Sequence, residues 1–215
     1  MDNSMHSVKI QKVGFWCLMA LIGLSKLIKL NFIVGSAASF FSMVNIFGPL
    51  SVALGGSLGG LFLIFNNLLS IKIGLGATCL LAKTGIPNFL AGIYLRTNSN
   101  FIKILLPATC MMLFWYKTWG TVGSLYAILW LIPIAISLLD LKNIYLKSLG
   151  ATFVAHAAGS VFFAYFANLT AWQWFALIPL ALGERIILAI LMGFSYNVLK
   201  YVLLKINRQP ESAIL

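Results

Sequence analysis

The chain has few acidic residues and few charges of any kind. Only four of its 215 residues are Asp or Glu and 9% are charged, whereas 61% are hydrophobic and the mean hydropathy is +0.98. A soluble globular domain carries about 25% charged residues, so this composition excludes that class. The charge-free stretch 30–71 is longer than the ~20 residues that span hydrocarbon. The sequence therefore predicts an integral membrane protein embedded in a lipid bilayer.

Common catalytic and metal-binding motifs are also missing. The chain has no G-x-x-x-x-G-K-[ST] phosphate loop and no H-E-x-x-H zinc motif. Its three cysteines stand alone in apolar surroundings and it has only two histidines, so we expect no metal site, no cofactor and no disulfide framework. Its 15 Lys and Arg residues are spread singly between apolar segments, so we expect no nucleic-acid partner.

Hydrophobic segments follow one another along the whole chain. They cover residues 13–30, 33–48, 50–71, 74–95, 101–116, 119–139, 146–168 and 173–204. We predict an all-α polytopic transmembrane helical bundle of six to eight such segments, some of them re-entrant. The segments form a single integral-membrane domain, 1–215, with a polar cytoplasmic start at 1–12 and a polar cytoplasmic tail at 206–215.

The distribution of positive charge predicts the orientation. With the N-terminus in the cytoplasm and eight crossings, the cytoplasmic side receives Lys9, Lys12, Arg96, Lys103, Lys142, Lys147, Lys200, Lys205 and Arg208. The opposite side receives only Lys26, Lys29, Lys72 and Lys117. Because cytoplasmic loops are enriched in Lys and Arg, we expect a multi-pass protein of the inner membrane with both termini in the cytoplasm.

Small residues are concentrated in two parts of the chain. Gly48-Pro49 predicts a break, and the overlapping G-x-x-x-G patterns Gly55/Gly59 and Gly56/Gly60 predict closely packed helix backbones. The seventh segment has small residues at Ala151, Ala155 and Gly159 beside a polar stripe of Thr152, His156 and Ser160. Such packing is needed by every polytopic protein, so it indicates a tight bundle and not a function.

Ionisable residues interrupt two of the hydrophobic segments. Lys83 lies near the middle of the fourth segment, and Gly85-Ile86-Pro87 after it predicts a kink or break between residues 84 and 88. Glu184 and Arg185 lie halfway along the last segment, where each charge costs at least about 2.5 kcal/mol. Many transporters build substrate sites from broken helices and buried charges. The structural alternatives are a snorkelling Lys83, a Lys83–Glu184 pair, or ion pairs with neighbouring segments.

One enzymatic pattern is present. Residues 55–59 match G-x-S-x-G around Ser57, and His156 on a later segment supplies a possible base for a Ser–His dyad. This arrangement is similar to that of rhomboid intramembrane proteases, although Ser57 is not directly followed by glycine and no Trp-Arg pair occurs in an early loop.

The layout of the chain resembles the membrane-embedded S components of energy-coupling factor transporters. The similar parts are the first helix 14–28, the Gly-rich run 45–60 and the final hairpin 151–199. In place of that family's alanine pair, the first helix has Ala20 and Gly23. The resemblance implies capture of a vitamin-like small molecule on the non-cytoplasmic side. It also implies a transmembrane coupling subunit and separate ATPases as partners.

We therefore predict a membrane-embedded substrate-binding or transport protein for a small, vitamin-like or anionic solute. The predicted substrate-binding residues are Asn45, Lys83, Asn88, His156, Glu184 and Arg185. Lys83 or Arg185 would bind an anionic group, and Glu184 would hold a cationic group, a proton or the lysine. The asparagines and His156 would supply neutral hydrogen bonds. The alternatives are a rhomboid-like serine hydrolase using Ser57 and His156, and a structural or assembly protein of the membrane.

Overall fold

Helices make up almost all of the described structure. The computed structural model describes residues 29–31, 40–68, 85–167 and 169–207. The helices are α1 (Val44–Leu68), α2 (Ile86–Arg96), α3 (Asn100–Thr118), a 3₁₀ helix (Val122–Trp130), α4 (Leu131–Leu138), α5 (Ile144–Phe166) and α6 (Ala171–Asn207). Strands β1 (Lys29–Asn31) and β2 (Phe40–Ser42) pair antiparallel, with Leu30 opposite Phe41. The predicted helical class is confirmed apart from this strand pair, of which β2 interrupts the predicted segment 33–48.

Three of these helices are long and apolar enough to cross a membrane. They are Val44–Phe65 within α1, Ile144–Phe166, and Ala171–Val202 within α6. Large apolar side chains on them face outward: Leu58 is 65% exposed and Phe194 is 60% exposed. So much exposed apolar surface suits lipid and not water, so the chain is a membrane protein. Three candidate spans among the described residues are fewer than the six to eight predicted segments. Residues 13–28, 32–39, 69–84 and the predicted polar start 1–12 lie outside the described part, as do residues 208–215 of the predicted polar tail 206–215.

α1 is long and apolar enough for a span, but its chain reverses direction at Gly56. This residue has φ 63° and ψ −141°, a conformation that favours glycine. Beyond the turn, a Cβ on Gly59 would lie 2.0 Å from the Ser51 carbonyl oxygen, and a Cβ on Gly48 would lie 3.3 Å from Leu63 Cδ1. Residues eight apart in a straight helix are separated by about 12 Å. α1 is therefore a hairpin whose two halves, about 18 Å long each, are shorter than the ~30 Å hydrocarbon core.

The hairpin corrects one prediction and refines another. The expected break at Gly48-Pro49 is wrong, because Pro49 lies inside the first helical half and the chain turns at Gly56 instead. The close packing predicted from the G-x-x-x-G patterns is found, but it joins the two halves to each other and to α2. A Cβ on Gly60, for example, would lie 2.4 Å from Phe89 Cε2 of α2.

α2 begins at the break that the sequence predicted in its fourth segment. Gly85 has φ 83°, in the left-handed region, so no continuous α-helix passes through it, and Pro87 lies in the first turn. α2 then runs beside the first half of the hairpin in the same direction. The contacts step from Asn88 beside Gly48, through Gly92 beside Val52, to Arg96 beside Gly56.

The sixth predicted segment crosses the bundle in an unusually extended form. Nine of its residues form the 3₁₀ helix and eight form α4. A 3₁₀ helix rises about 2.0 Å per residue, so the two pieces together reach about 30 Å, whereas an α-helix of this length would reach about 25 Å. The 3₁₀ geometry thus makes this segment longer than an α-helix of the same number of residues.

α5 is the central helix, in contact with α2, α3, α4 and α6. On one side of it lies an aromatic core in which Phe114 packs edge-on against Trp130 and Trp174, at centroid distances of 5.1 and 5.0 Å. Edge-to-face pairs at this spacing are favourable beyond their buried area. The aromatic core joins α3, the 3₁₀ helix and α6 into one wall.

The other side of α5 is held to α2 and α4 through Tyr94. Its hydroxyl lies 2.9 Å from the Pro133 carbonyl oxygen and 3.0 Å from Ser137 Oγ, and the side chain is buried. Gly150 makes room for it, since a Cβ there would lie 2.4 Å from the Tyr94 hydroxyl. One tyrosine therefore connects three helices.

Candidate functional site

A cavity of about 390 Å³ lies between the starts of α1 and α2, the 3₁₀ helix, α5 and α6. We call it the central cavity. Its lining includes five of the six predicted site residues: Asn45, Asn88, His156, Glu184 and Arg185. The sixth, Lys83, lies outside the described residues. The volume falls within the range of small-molecule sites, so residues far apart in sequence meet around a space that could hold a ligand.

The charged part of the cavity lies deep in the bundle. Arg185 is about 21 Å along α6 from Ala171 and about 22 Å from Lys200, at 1.5 Å per residue. It is thus near the middle of the stretch of α6 that is apolar enough to span a membrane. Ionisable residues at this depth are rare and face the protein interior or a water-filled space.

Glu184 and Arg185 form an ion pair with each other. Arg185 Nη2 lies 2.8 Å from Glu184 Oε2, and the two side chains are 9% and 29% exposed respectively. The neighbouring segments do not neutralise either charge within the described structure. Arg185 Nε is buried and has no hydrogen-bond partner among the described residues. Leaving a buried donor unpaired costs about 1–3 kcal/mol. This guanidinium can therefore donate a further hydrogen bond to an anionic or polar partner.

The start of α2 adds a second positive feature to the cavity. Pro87 and Asn88, in the first turn, both line it. A helix N-terminus carries roughly half a positive charge and free backbone N–H groups, which favour an anion. Asn88 Nδ2 donates to Asn45 Oδ1 at 3.2 Å and to the Val44 carbonyl oxygen at 3.5 Å, so Asn88 joins the starts of α1 and α2. The sequence predicted the break before α2 but not the contact between Asn88 and Asn45.

Aromatic and hydroxyl side chains complete the wall. Tyr126 of the 3₁₀ helix hydrogen-bonds His156 Nε2 through its hydroxyl, and its ring lies 5.1 Å from that of Trp174. Thr152, on the same stripe as His156, donates to the Leu149 carbonyl at 2.8 Å. The stripe was visible in the sequence, but we did not predict that Thr152 lines the site. Tyr126 and Trp174 were not predicted as site residues, because an aromatic residue in an apolar segment gives no sign that it faces a cavity.

The alternative Ser57–His156 dyad has no contact in the structure. Ser57 is exposed beside the turn of the α1 hairpin and does not line the central cavity, whereas His156 lines it and is bonded to Tyr126. Within residues 29–31, 40–68, 85–167 and 169–207, no group of three or more His, Cys, Asp or Glu residues could hold a metal ion.

Comparison with known proteins finds no matching family model, no matching curated protein and no matching solved structure. The chemistry of the cavity is therefore inferred from its own residues.

Proposed function

We propose that the chain is a membrane-embedded substrate-binding or transport protein whose central cavity holds a small solute with an anionic group. The proposal rests on Arg185, which lines the cavity, is buried, and has an Nε without a hydrogen-bond partner among the described residues. A carboxylate or phosphate oxygen in the cavity would pair with the Arg185 guanidinium and gain from the positive end of α2. Glu184 would keep the guanidinium neutralised while the site is empty.

The wall of the cavity suggests the rest of the solute. The rings of Tyr126, Trp174 and Phe163 line one side of it, and such rings favour a flat, partly apolar group. His156, Asn45 and Asn88 offer neutral hydrogen bonds. A vitamin-like molecule with a ring and an acid group fits this combination.

In a transport role, the solute would bind near the middle of the membrane, where broken helices form the binding sites of other carriers. The inner-membrane location, the cytoplasmic termini and the supply of energy by a coupling subunit with ATPases belong to this proposal. The resemblance in layout to S components favours them, and a carrier that acts alone is the alternative.

Binding is tested by purifying the tagged protein in mild detergent and identifying retained metabolites by mass spectrometry. Gly159→Phe should abolish retention, because Gly159 lines the cavity and nothing lies within 4 Å of its Cβ position. Gly183→Phe is the matched control: its Cβ position is equally open, but Gly183 does not line the cavity. Arg185→Gln should release the same metabolite.

A metabolite retained equally by Gly159→Phe and the control would contradict binding in this cavity. Recovery of a transmembrane coupling protein with two ATPases in the same preparation would support energised transport. Recovery of the chain alone would instead favour a solitary carrier or a structural protein. Labelling of Ser57 by a serine-directed probe, lost in Ser57→Ala, would favour the hydrolase.

A further inference from the structure

A second cavity, of about 550 Å³, lies where the turn of the α1 hairpin, the end of α2, the start of α5 and the end of α6 meet. It shares no lining residue with the central cavity. Four cationic side chains line it: Arg96, Lys142, Lys147 and Lys200. Asn98 and Asn197 add amide groups. We call this cavity the basic pocket.

The positive charge of the basic pocket is largely uncompensated. Lys142 Nζ lies 3.5 Å from Asp140 Oδ2, but these side chains are 81% and 61% exposed, so the pair is weak. Arg96, Lys147 and Lys200 form no ion pair with any described residue. The chain has only four acidic residues, of which Glu184 is engaged by Arg185 and the first and last, at positions 2 and 211, lie outside the described part. Like charges brought together in a concave site concentrate anions there.

One wall of the pocket is apolar and partly exposed. Leu54, Leu95 and Ile144 line it, together with Tyr196. Leu54 is 37% exposed, and Leu58, on the other side of the Gly56 turn, is 65% exposed. A cationic floor beside an outward-facing apolar surface suits an amphiphile better than a fully polar anion.

We propose that the basic pocket binds a phosphate group, and that an anionic phospholipid of the surrounding leaflet supplies it. The Arg96 guanidinium would bind two phosphate oxygens as a fork, and Lys147 and Lys200 would act as point charges. The acyl chains of the lipid would extend from the pocket along its apolar wall. Basic pockets between membrane helices commonly hold lipid headgroups in this way. This role goes beyond the proposed function, because it needs no solute in the central cavity.

The test is native mass spectrometry of the full chain in detergent, titrated with phosphatidylglycerol or with phosphatidylcholine. The variant is Lys147→Gln/Lys200→Gln. The control is Lys117→Gln/Lys205→Gln, which removes the same charge from two exposed lysines that do not line the pocket. Each lysine near a lipid phosphate changes affinity about fivefold, so the variant should bind phosphatidylglycerol about thirty-fold more weakly, with the control unchanged.

The remaining arms identify the source of the phosphate and guard against misfolding. If inorganic phosphate binds the chain and depends on the same two lysines, while phosphatidylglycerol is no better than phosphatidylcholine, the phosphate group is right but the lipid source is wrong. The melting temperature of the variant should not fall, because removing two like charges relieves repulsion. Equal weakening in variant and control, or no weakening in either, would overturn the proposal.

Discussion

The stability of a Gly56→Ala variant tests whether α1 turns back at this residue or runs straight. The two geometries predict changes of opposite sign in the free energy of unfolding. In a straight helix, Gly→Ala raises the free energy of unfolding by about 1 kcal/mol. In the hairpin, φ 63° and ψ −141° place alanine in a region that costs about 1–3 kcal/mol. Its Cβ would also lie 1.9 Å from Arg96 Nη1, but Arg96 is exposed and can move away. We therefore expect Gly56→Ala to lose about 1–3 kcal/mol.

The assay is reversible unfolding in mixed micelles with increasing dodecyl sulfate, followed by tryptophan fluorescence. Gly159→Ala is the control, because Gly159 is inside α5 with nothing within 4 Å of its Cβ position, so alanine there should stabilise the protein by up to about 1 kcal/mol. Gly56→Ala in an Arg96→Ala background should lose about as much as in the wild type, since the strain is in the backbone. If Gly56→Ala stabilises the protein as Gly159→Ala does, the hairpin is wrong.

Further predictions concern buried polar groups and can use the same unfolding assay. Tyr94→Phe removes the hydrogen bonds of a buried hydroxyl and should cost about 1–2 kcal/mol; a change below 0.5 kcal/mol would show that the Tyr94 hydroxyl contributes little. Gly150→Ala should cost more than Tyr94→Phe, because its Cβ would lie 2.4 Å from that hydroxyl, and Gly150→Ala combined with Tyr94→Phe should recover part of the loss. Glu184→Gln should cost about 3 kcal/mol because it leaves the Arg185 charge buried and unpaired. Arg185→Gln should cost less, since the Glu184 side chain is 29% exposed and its charge stays partly solvated; the opposite order would contradict this account of the pair.

Features that rest on one or two residues could be predicted from the sequence. Gly85 and Pro87 lie two residues apart, and a glycine and a proline at this spacing interrupt a helix. The break there could therefore be predicted without knowing the fold. Glu184 and Arg185 were conspicuous because charge is so costly in an apolar segment, and this cost favours their facing a cavity inside the bundle. Asn45, Asn88 and His156 were predicted on another ground, as neutral groups that would satisfy the hydrogen bonds of a buried polar ligand.

Features that rest on contacts between segments could not be predicted. The Gly-rich run contains several glycines that could form a turn, and the choice of Gly56 reflects how α2 packs along the first half of the hairpin. Pro49 was a misleading signal because the helix continues through it. Tyr126 reaches the cavity only because its segment is a 3₁₀ helix, a geometry that hydrophobic periodicity does not reveal. The strand pair β1–β2 lies in a run that is as apolar as a membrane helix.

The short helix α2 takes part in both pockets. Asn88 in its first turn lines the central cavity, and Arg96 at its last residue lines the basic pocket. These residues are about 12 Å apart along one rigid helical rod. If a ligand in one pocket tilts or slides α2, the other pocket must change shape with it. Linkage then requires reciprocity: a headgroup that alters solute affinity by some factor has its own affinity altered by that same factor. The lipid composition of the membrane would then regulate how tightly the protein holds its solute.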